Sequence, residues 1–181
     1  MIATFDPLGI LRTLVARGVR FVLIGGFAAN LRGTADLTQD LDVCYARDAA
    51  DLEAMASSLR ELGARLRVAR EPDADLPVQL DAATLRNGDS FTFTTSKGDF
   101  DIIGTPSGTG GYDDLEAGAQ TLVAADGLSI RVASIEDLIR MKRASARTKD
   151  LLHLEHLEAL RTEIELARAE GLDPRQGEPR R

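Results

Sequence analysis

Two aspartates two residues apart stand at the head of an apolar run, Asp40-Leu41-Asp42-Val43. In an extended chain, side chains two apart share a face. Asp40 and Asp42 therefore project together while Leu41 and Val43 turn toward a core. Adjacent carboxylates repel and resist burial unless they are protonated or met by a cation. A divalent metal with oxygen ligands is the usual answer. A third acid, Asp101, sits in the apolar frame Phe100-Asp101-Ile102-Ile103, with Asp99 on the same face. If the two strands were neighbours, three carboxylates would converge. Three acids can hold two divalent ions about 3.5–4 Å apart, the arrangement used for in-line phosphoryl displacement.

The element that must lie in front of these acids is Phe21-Val22-Leu23-Ile24, an apolar run followed at once by Gly25-Gly26. It reads as a buried strand entering a tight turn. A short helix follows, Phe27 to Leu31. Glycine lets backbone N–H groups approach an anion, and the helix presents its positive end. Thr34 and Thr38 can donate hydroxyls to phosphates or hold the loop by local hydrogen bonds.

The rest of the chain reads as support. Asp6 caps a helix from Pro7 to Ala16, with Gly18 after it, and Val19 to Ile24 is the first strand. Asp48 caps a second helix, Ala49 to Leu62, stopped by Gly63. Arg65 to Ala69 reads as a short strand. Glu71 to Asp89, broken by Pro72, Pro77, Asn87 and Gly88, reads as loop with at most one helical turn. Ser90 to Thr95 and Asp99 to Ile103 form a hairpin through Ser96-Lys97-Gly98. A glycine-rich loop, Ser107 to Gly111, leads to a short helix, Tyr112 to Ala117. Two further strands, Thr121 to Ala124 and Leu128 to Val132, flank Ala125-Asp126-Gly127. Ser134 and Asp137 resemble a capping box for a helix to about Ala144. A longer helix runs from about Thr148 to Glu170, striped by Leu151, Leu154, Leu157, Leu160, Ile164 and Ala167. The predicted organisation is a core over residues 1–133, a C-terminal helical segment over 134–172 packed on it, and a disordered tail over 173–181.

The 181 residues suffice for one substantial core, and the 44% hydrophobic content is that of a soluble globular protein. A formal net charge of −7 argues against generic electrostatic nucleic-acid binding. With 4% aromatics and no Trp, base recognition by an aromatic sheet is not expected. The single cysteine, Cys44, excludes an intramolecular disulfide, suits a reducing cytoplasm, and reads as a small buried hydrophobe. No apolar run approaches the ~20 residues of a membrane span, and the N-terminus lacks the pattern of a signal peptide. Positive charge gathers in 136–157, at Lys142, Arg143, Arg147 and Lys149, which could equally be a solvated helix face. His153 and His156 are not expected to form a metal pair, because no carboxylate is arranged to complete one.

The ordered set Gly25, Gly26, Gly33, Thr34, Thr38, Asp40 and Asp42 resembles the signature of the nucleotidyltransferase superfamily, including its minimal, aminoglycoside and AbiEii/MenT-type toxin branches. The resemblance implies an α/β (α+β) fold of the polymerase-beta type, a mixed sheet with packed helices and a C-terminal helical segment. It implies Mg²⁺- or Mn²⁺-dependent transfer of a nucleoside monophosphate from an NTP to an acceptor hydroxyl. Asp40, Asp42 and Asp101 would bind metal, with Asp101 as base. Gly25, Gly26, Thr34, Thr38 and Lys142 would contact the nucleotide, Lys142 by neutralising phosphate charge. Lys142 and Asp150, in Lys-x4-Arg-x2-Asp, resemble the distal lysine and aspartate of the toxin-type enzymes. That branch implies a toxin of a toxin–antitoxin pair, acting on the tRNA 3′ end and answered by a cognate antitoxin. The alternatives are an aminoglycoside or protein acceptor, or a binding relative that has lost turnover. One departure stands out: many relatives carry arginine where this chain has Asp36, and Arg32 is the nearby candidate to replace it.

Overall fold

The computed structural model describes residues 5–67, 80–124, 126–145 and 150–170. Seven strands form one mixed sheet: β1 (Phe21–Ile24), β2 (Asp40–Tyr45), β3 (Arg65–Leu66), β4 (Ser90–Thr95), β5 (Gly98–Ile103), β6 (Gln120–Val123) and β7 (Ser129–Val132). Their spatial order is β3-β4-β5-β2-β1-β7-β6. The β2–β5 and β1–β7 pairs are parallel and the others antiparallel. The mixed α/β class predicted from the sequence is the one observed.

Seven helices are described: α1 (Pro7–Ala16), α2 (Gly25–Arg32), α3 (Ala49–Glu61), α4 (Ala82–Asn87), α5 (Tyr112–Gly118), α6 (Ile135–Ser145) and α7 (Asp150–Ala169). Local chemistry sets their ends. The Asp6 carboxylate accepts from the Gly9 N–H at 2.9 Å and Pro7 occupies the first turn of α1, as the sequence predicts. Asp48 caps α3 through the Asp51 N–H at 3.1 Å. Asp81 caps α4 through the Thr84 N–H, turning the end of the predicted loop into a six-residue helix. α2 begins at Gly25 rather than Phe27, since the glycines themselves supply its first turn. β1 is shorter than expected, starting at Phe21. The strand expected over Arg65 to Ala69 is seen at Arg65–Leu66, and residues 68–79 lie outside the described residues, as do 146–149 and 171–181.

β2 is an interior strand, between β5 and β1. Its alternate residues Leu41, Val43 and Tyr45 are fully buried, as are Phe100 and Ile102 of β5 and Phe93 of β4. Cα register places Leu41 beside Phe100 and Val43 beside Ile102, so one apolar layer fixes both strands. α1 and α3 pack together and contribute Leu11, Leu14, Leu52, Met55 and Leu59 to that core. Cys44 is buried too, its thiol pushed up to about 12 chiefly by burial, which makes it an inert core residue. No helix among the described residues is long and apolar enough to cross a membrane.

α6 is tied to the sheet at its start. The Ser134 hydroxyl accepts from the Asp137 N–H at 3.0 Å, the predicted cap, and donates to the Asp137 carboxylate at 2.7 Å, where a capping box would have the Ser134 N–H donate. Ser134→Ala is expected to cost about 1 kcal/mol, read as a lower urea midpoint with an unchanged slope.

Candidate active site

The parallel pairing of β2 with β5 creates the site. Register sets Asp42 opposite Asp101 and Asp40 opposite Asp99. One ligand oxygen from each of Asp40, Asp42 and Asp101 lies within 4.8 Å of the others, the group among the described residues that could hold a metal ion. The convergence expected if the two acidic strands were neighbours is what the fold provides. Asp40 is exposed at the strand end, while Asp42 and Asp101 are half-buried.

Asp101 is the most perturbed of the three. Burial raises its proton affinity above the ordinary carboxylate range. A hydrogen bond from the Thr92 hydroxyl opposes that shift, and the Asp40 charge adds to it. Its Oδ1 is buried with no hydrogen-bond partner among the described residues. A buried oxygen of this kind costs free energy unless a donor or cation meets it. With two further carboxylates alongside, an all-oxygen donor set and an open Asp40, the residues fit a divalent cation.

Gly25 is committed to this site twice over. Its φ is +72°, where L side chains are strained. A Cβ placed on it would lie 2.0 Å from Asp42 Oδ2, so the Asp42 carboxylate packs directly against the turn. A Cβ on Gly26 would meet the Thr38 hydroxyl at 3.0 Å. The α2 N-terminus is entered through Ile24, whose side chain makes no cap bond, and a helix start of this kind presents its positive end to an anion.

The other predicted residues divide. The Thr38 hydroxyl lies 3.0 Å from Asp40 Oδ1 and 3.1 Å from the Asp40 carbonyl oxygen, on the acid's side of the loop. The Thr34 hydroxyl donates to Asn30 Oδ1 at 3.0 Å and so holds the loop. Lys142 sits in the last turn of α6, a helix packed against α2. Asp150 begins α7, but its side chain lies outside what the structure describes, as do Arg147 and Lys149. Arg32 is committed elsewhere: its guanidinium donates to the carbonyls of Ala133 and Val132, both at 2.9 Å, and to Gln120. It thereby ties α2 to β7 instead of taking the place of the arginine replaced by Asp36.

Sequence reasoning missed three contributors. Arg67 pairs with Asp99 at 2.6 Å, and the Thr94 hydroxyl donates to the same carboxylate at 3.1 Å. Asp99, which shares the face of Asp101, is thus neutralised beside the three acids. Thr92 supports Asp101 from β4, where register puts it opposite. Their alternation on a strand was legible, but not the neighbour they would face. Separately, a cavity of about 370 Å³ lies past the other end of β2, lined by Arg20, Tyr45, Arg47, Gly104, Gly111 and Tyr112 among others. None of the three acids lines it. Its guanidinium groups are held by Asp48 and Asp51 (Arg20) and by the Tyr45 hydroxyl and carbonyls of α4 (Arg47). The acids and this cavity are therefore separate places in the fold.

The structural comparison fits that geometry. The chain superimposes on the lincosamide antibiotic adenylyltransferase LnuA, solved with lincomycin bound, with a TM-score of 0.56 at 17% identity over 84% of this chain and 94% of that one. It is also similar to ANT(2″)-Ia in complex with adenylyl-2″-tobramycin, with a TM-score of 0.50 at 18% identity over 89% of this chain and 88% of that one. The fold is that of a nucleotidyltransferase. No family model matches the sequence, and no curated protein is significantly similar to it.

Two outcomes follow from the packing. Gly25→Ala should destabilise the chain by about 1–3 kcal/mol through φ strain and displace the Asp42 carboxylate, weakening Mn²⁺ binding in a calorimetric titration. Asp101 binds its proton more tightly in the folded chain than in the unfolded one. Its contribution to stability is therefore most favourable below the ordinary value of 3.8 and declines as pH rises toward the raised folded value. Asp101→Asn should raise the melting temperature in chelator at neutral pH. That gain should shrink as the pH falls to 3.8 and below, and the variant should lose the stabilisation that Mn²⁺ gives the wild type.

Proposed function

We propose that this chain is a metal-dependent nucleotidyltransferase that moves a nucleoside monophosphate from an NTP to an acceptor hydroxyl, releasing pyrophosphate. The observation that carries this reading is the buried Oδ1 of Asp101, without a hydrogen-bond partner among the described residues, converging with Asp40 and Asp42 beside the Gly25 turn. A relative that kept the fold and lost turnover would have no use for such a costly arrangement.

Asp40, Asp42 and Asp101 would hold Mg²⁺ or Mn²⁺, which when bound neutralises phosphoryl charge and lowers the pKa of an attacking hydroxyl. The remaining work belongs to the chain. Backbone N–H groups of Gly25, Gly26 and the first turn of α2 bind the triphosphate, aided by the positive helix end. Thr38 orients the Asp40 carboxylate and lies within reach of the same phosphates. Lys142 adds positive charge from α6. The raised proton affinity of Asp101 suits it to accept the proton of the acceptor hydroxyl at Oδ1. Since β1 and its glycines flank β2 on one side and β5 flanks it on the other, in-line attack brings the acceptor from the β5 side.

For the acceptor, the resemblance in 136–157 to toxin-type enzymes supports the tRNA 3′ end, with a cognate antitoxin as partner and Asp150 as a further required acid. A second reading, a small hydroxylated antibiotic, is favoured by the LnuA likeness, which takes in 94% of that enzyme. A transfer assay with labelled NTPs, Mg²⁺ and three acceptor pools separates these readings: tRNA, aminoglycosides with lincosamides, and total protein. Label should enter one pool alone, and Asp42→Ala should reduce it about 10³-fold or more. No transfer to any pool, with the Asp42→Ala protein indistinguishable from wild type, would overturn the enzymatic reading.

A further inference from the structure

The segment joining α2 to β2, residues 33–39, has no regular structure, yet it delivers the first acid of the site. Leu37 at its centre is 97% exposed and holds nothing in place. The segment is therefore positioned by the residues on either side of it.

On the far side is Thr38, against Asp40. On the near side is Asp36, which is fixed by three hydrogen bonds. Its N–H donates to Asn30 Oδ1 at 3.1 Å, and its carbonyl accepts from Asn30 Nδ2 at 2.8 Å. Its carboxylate, 8% exposed, meets His156 Nδ1 of α7 at 2.6 Å. Asn30 belongs to the helix whose first turn holds the glycines, and His156, 120 residues beyond Asp36 in sequence, to α7. α7 is itself anchored beside this loop. Leu157 is buried, Leu160 lies against Gly33, and Glu158 pairs with Arg143 of α6.

We infer that His156 is a positioning residue for the acid-bearing loop, acting through Asp36 to hold Thr38 and the Asp40 carboxylate in register with Asp42 and Asp101. A carboxylate only accepts, so Nδ1 is the donor. Both the imidazolium and the neutral Nδ1–H tautomer can fill that role. A charge-assisted bond of this length on a shielded carboxylate is among the stronger single contacts a loop can make. The substitution of an acid at position 36 thereby acquires a use: it faces the C-terminal helix instead of a substrate. The part of this inference that concerns metal rests on the nucleotidyltransferase reading; the part that concerns the loop does not.

The test uses the full chain and four variants: His156→Ala, His156→Asn, Asp36→Ala and the double Asp36→Ala/His156→Ala. His156 is half exposed, so these variants are expected to fold. Asn places an amide N–H near the position of Nδ1–H and is the rescue. Amide hydrogen exchange, measured without metal, decides the outcome. His156→Ala should speed exchange across 34–39 roughly tenfold or more while leaving β1 and β2 amides unchanged. His156→Asn should stay within about twofold of wild type, and the double variant should be no worse than Asp36→Ala alone. Mn²⁺ affinity should fall severalfold in His156→Ala and recover in His156→Asn. Unchanged exchange over 34–39 in His156→Ala, an equal loss in His156→Asn, or additive effects in the double variant would each overturn the inference. A chain that transfers no nucleotide but shows the exchange pattern would refute the enzymatic reading and leave the clamp standing.

Discussion

Everything near the active centre follows from how much negative charge the middle of the sheet is made to carry. One oxygen from each of three carboxylates lies within 4.8 Å of the others, and Asp101 Oδ1 is buried with no hydrogen-bond partner among the described residues. Like charges at that range oppose folding. What holds the strands in place is on the other face. Leu41, Val43, Phe100 and Ile102 are each fully buried, and such side chains contribute roughly 1.5–3 kcal/mol apiece. The apolar layer thus fixes a pairing that the polar layer alone would push apart. Gly25 completes the arrangement by having no side chain where Asp42 needs the space.

A fourth acid would be expected to worsen this, and the structure shows how that is avoided. Asp99 shares the face and sits opposite Asp40. Arg67, beside the end of β3, and Thr94, on β4, both bind its carboxylate. The edge of the sheet therefore neutralises one acid and leaves three for a cation. Two arginines that looked available from the sequence are engaged in structural tasks: Arg32 holds β7, and Arg143 pairs with α7.

Sequence alone revealed whatever depended on neighbours along the chain. Helix caps at Asp6, Asp48 and Ser134, the β4–β5 hairpin and the outward alternation of Asp40 and Asp42 are local facts, and each is found where it was expected. That Asp101 stands beside Asp42 is not local. It depends on a parallel pairing across a long crossover, which residue pattern permits but does not specify. Alternation leaves that pairing as a condition, and the family resemblance names Asp101 as the third acid without giving the strand order. The same limit explains why Asp36 read only as a departure from a motif and His156 only as an unlikely ligand. Their contact spans 120 residues, and neither residue carries a signal of the other.

Charge would also couple the two ligands of the proposed reaction, the metal and the nucleotide. The chain is acidic overall, at −7, and a triphosphate adds several more negative charges next to the carboxylates. Among the described residues, the N–H groups of the α2 terminus are worth about half an elementary charge, and Lys142 on α6 is already engaged in an interaction of its own. Those do not balance three acids and a polyanion in a partly dehydrated space. Under the proposed nucleotidyltransferase reading, metal and nucleotide would therefore enter as linked events, each raising affinity for the other by the same factor. Holding Asp40 at the correct distance then matters for both, because a displaced carboxylate weakens the shared cation and, through it, the phosphates.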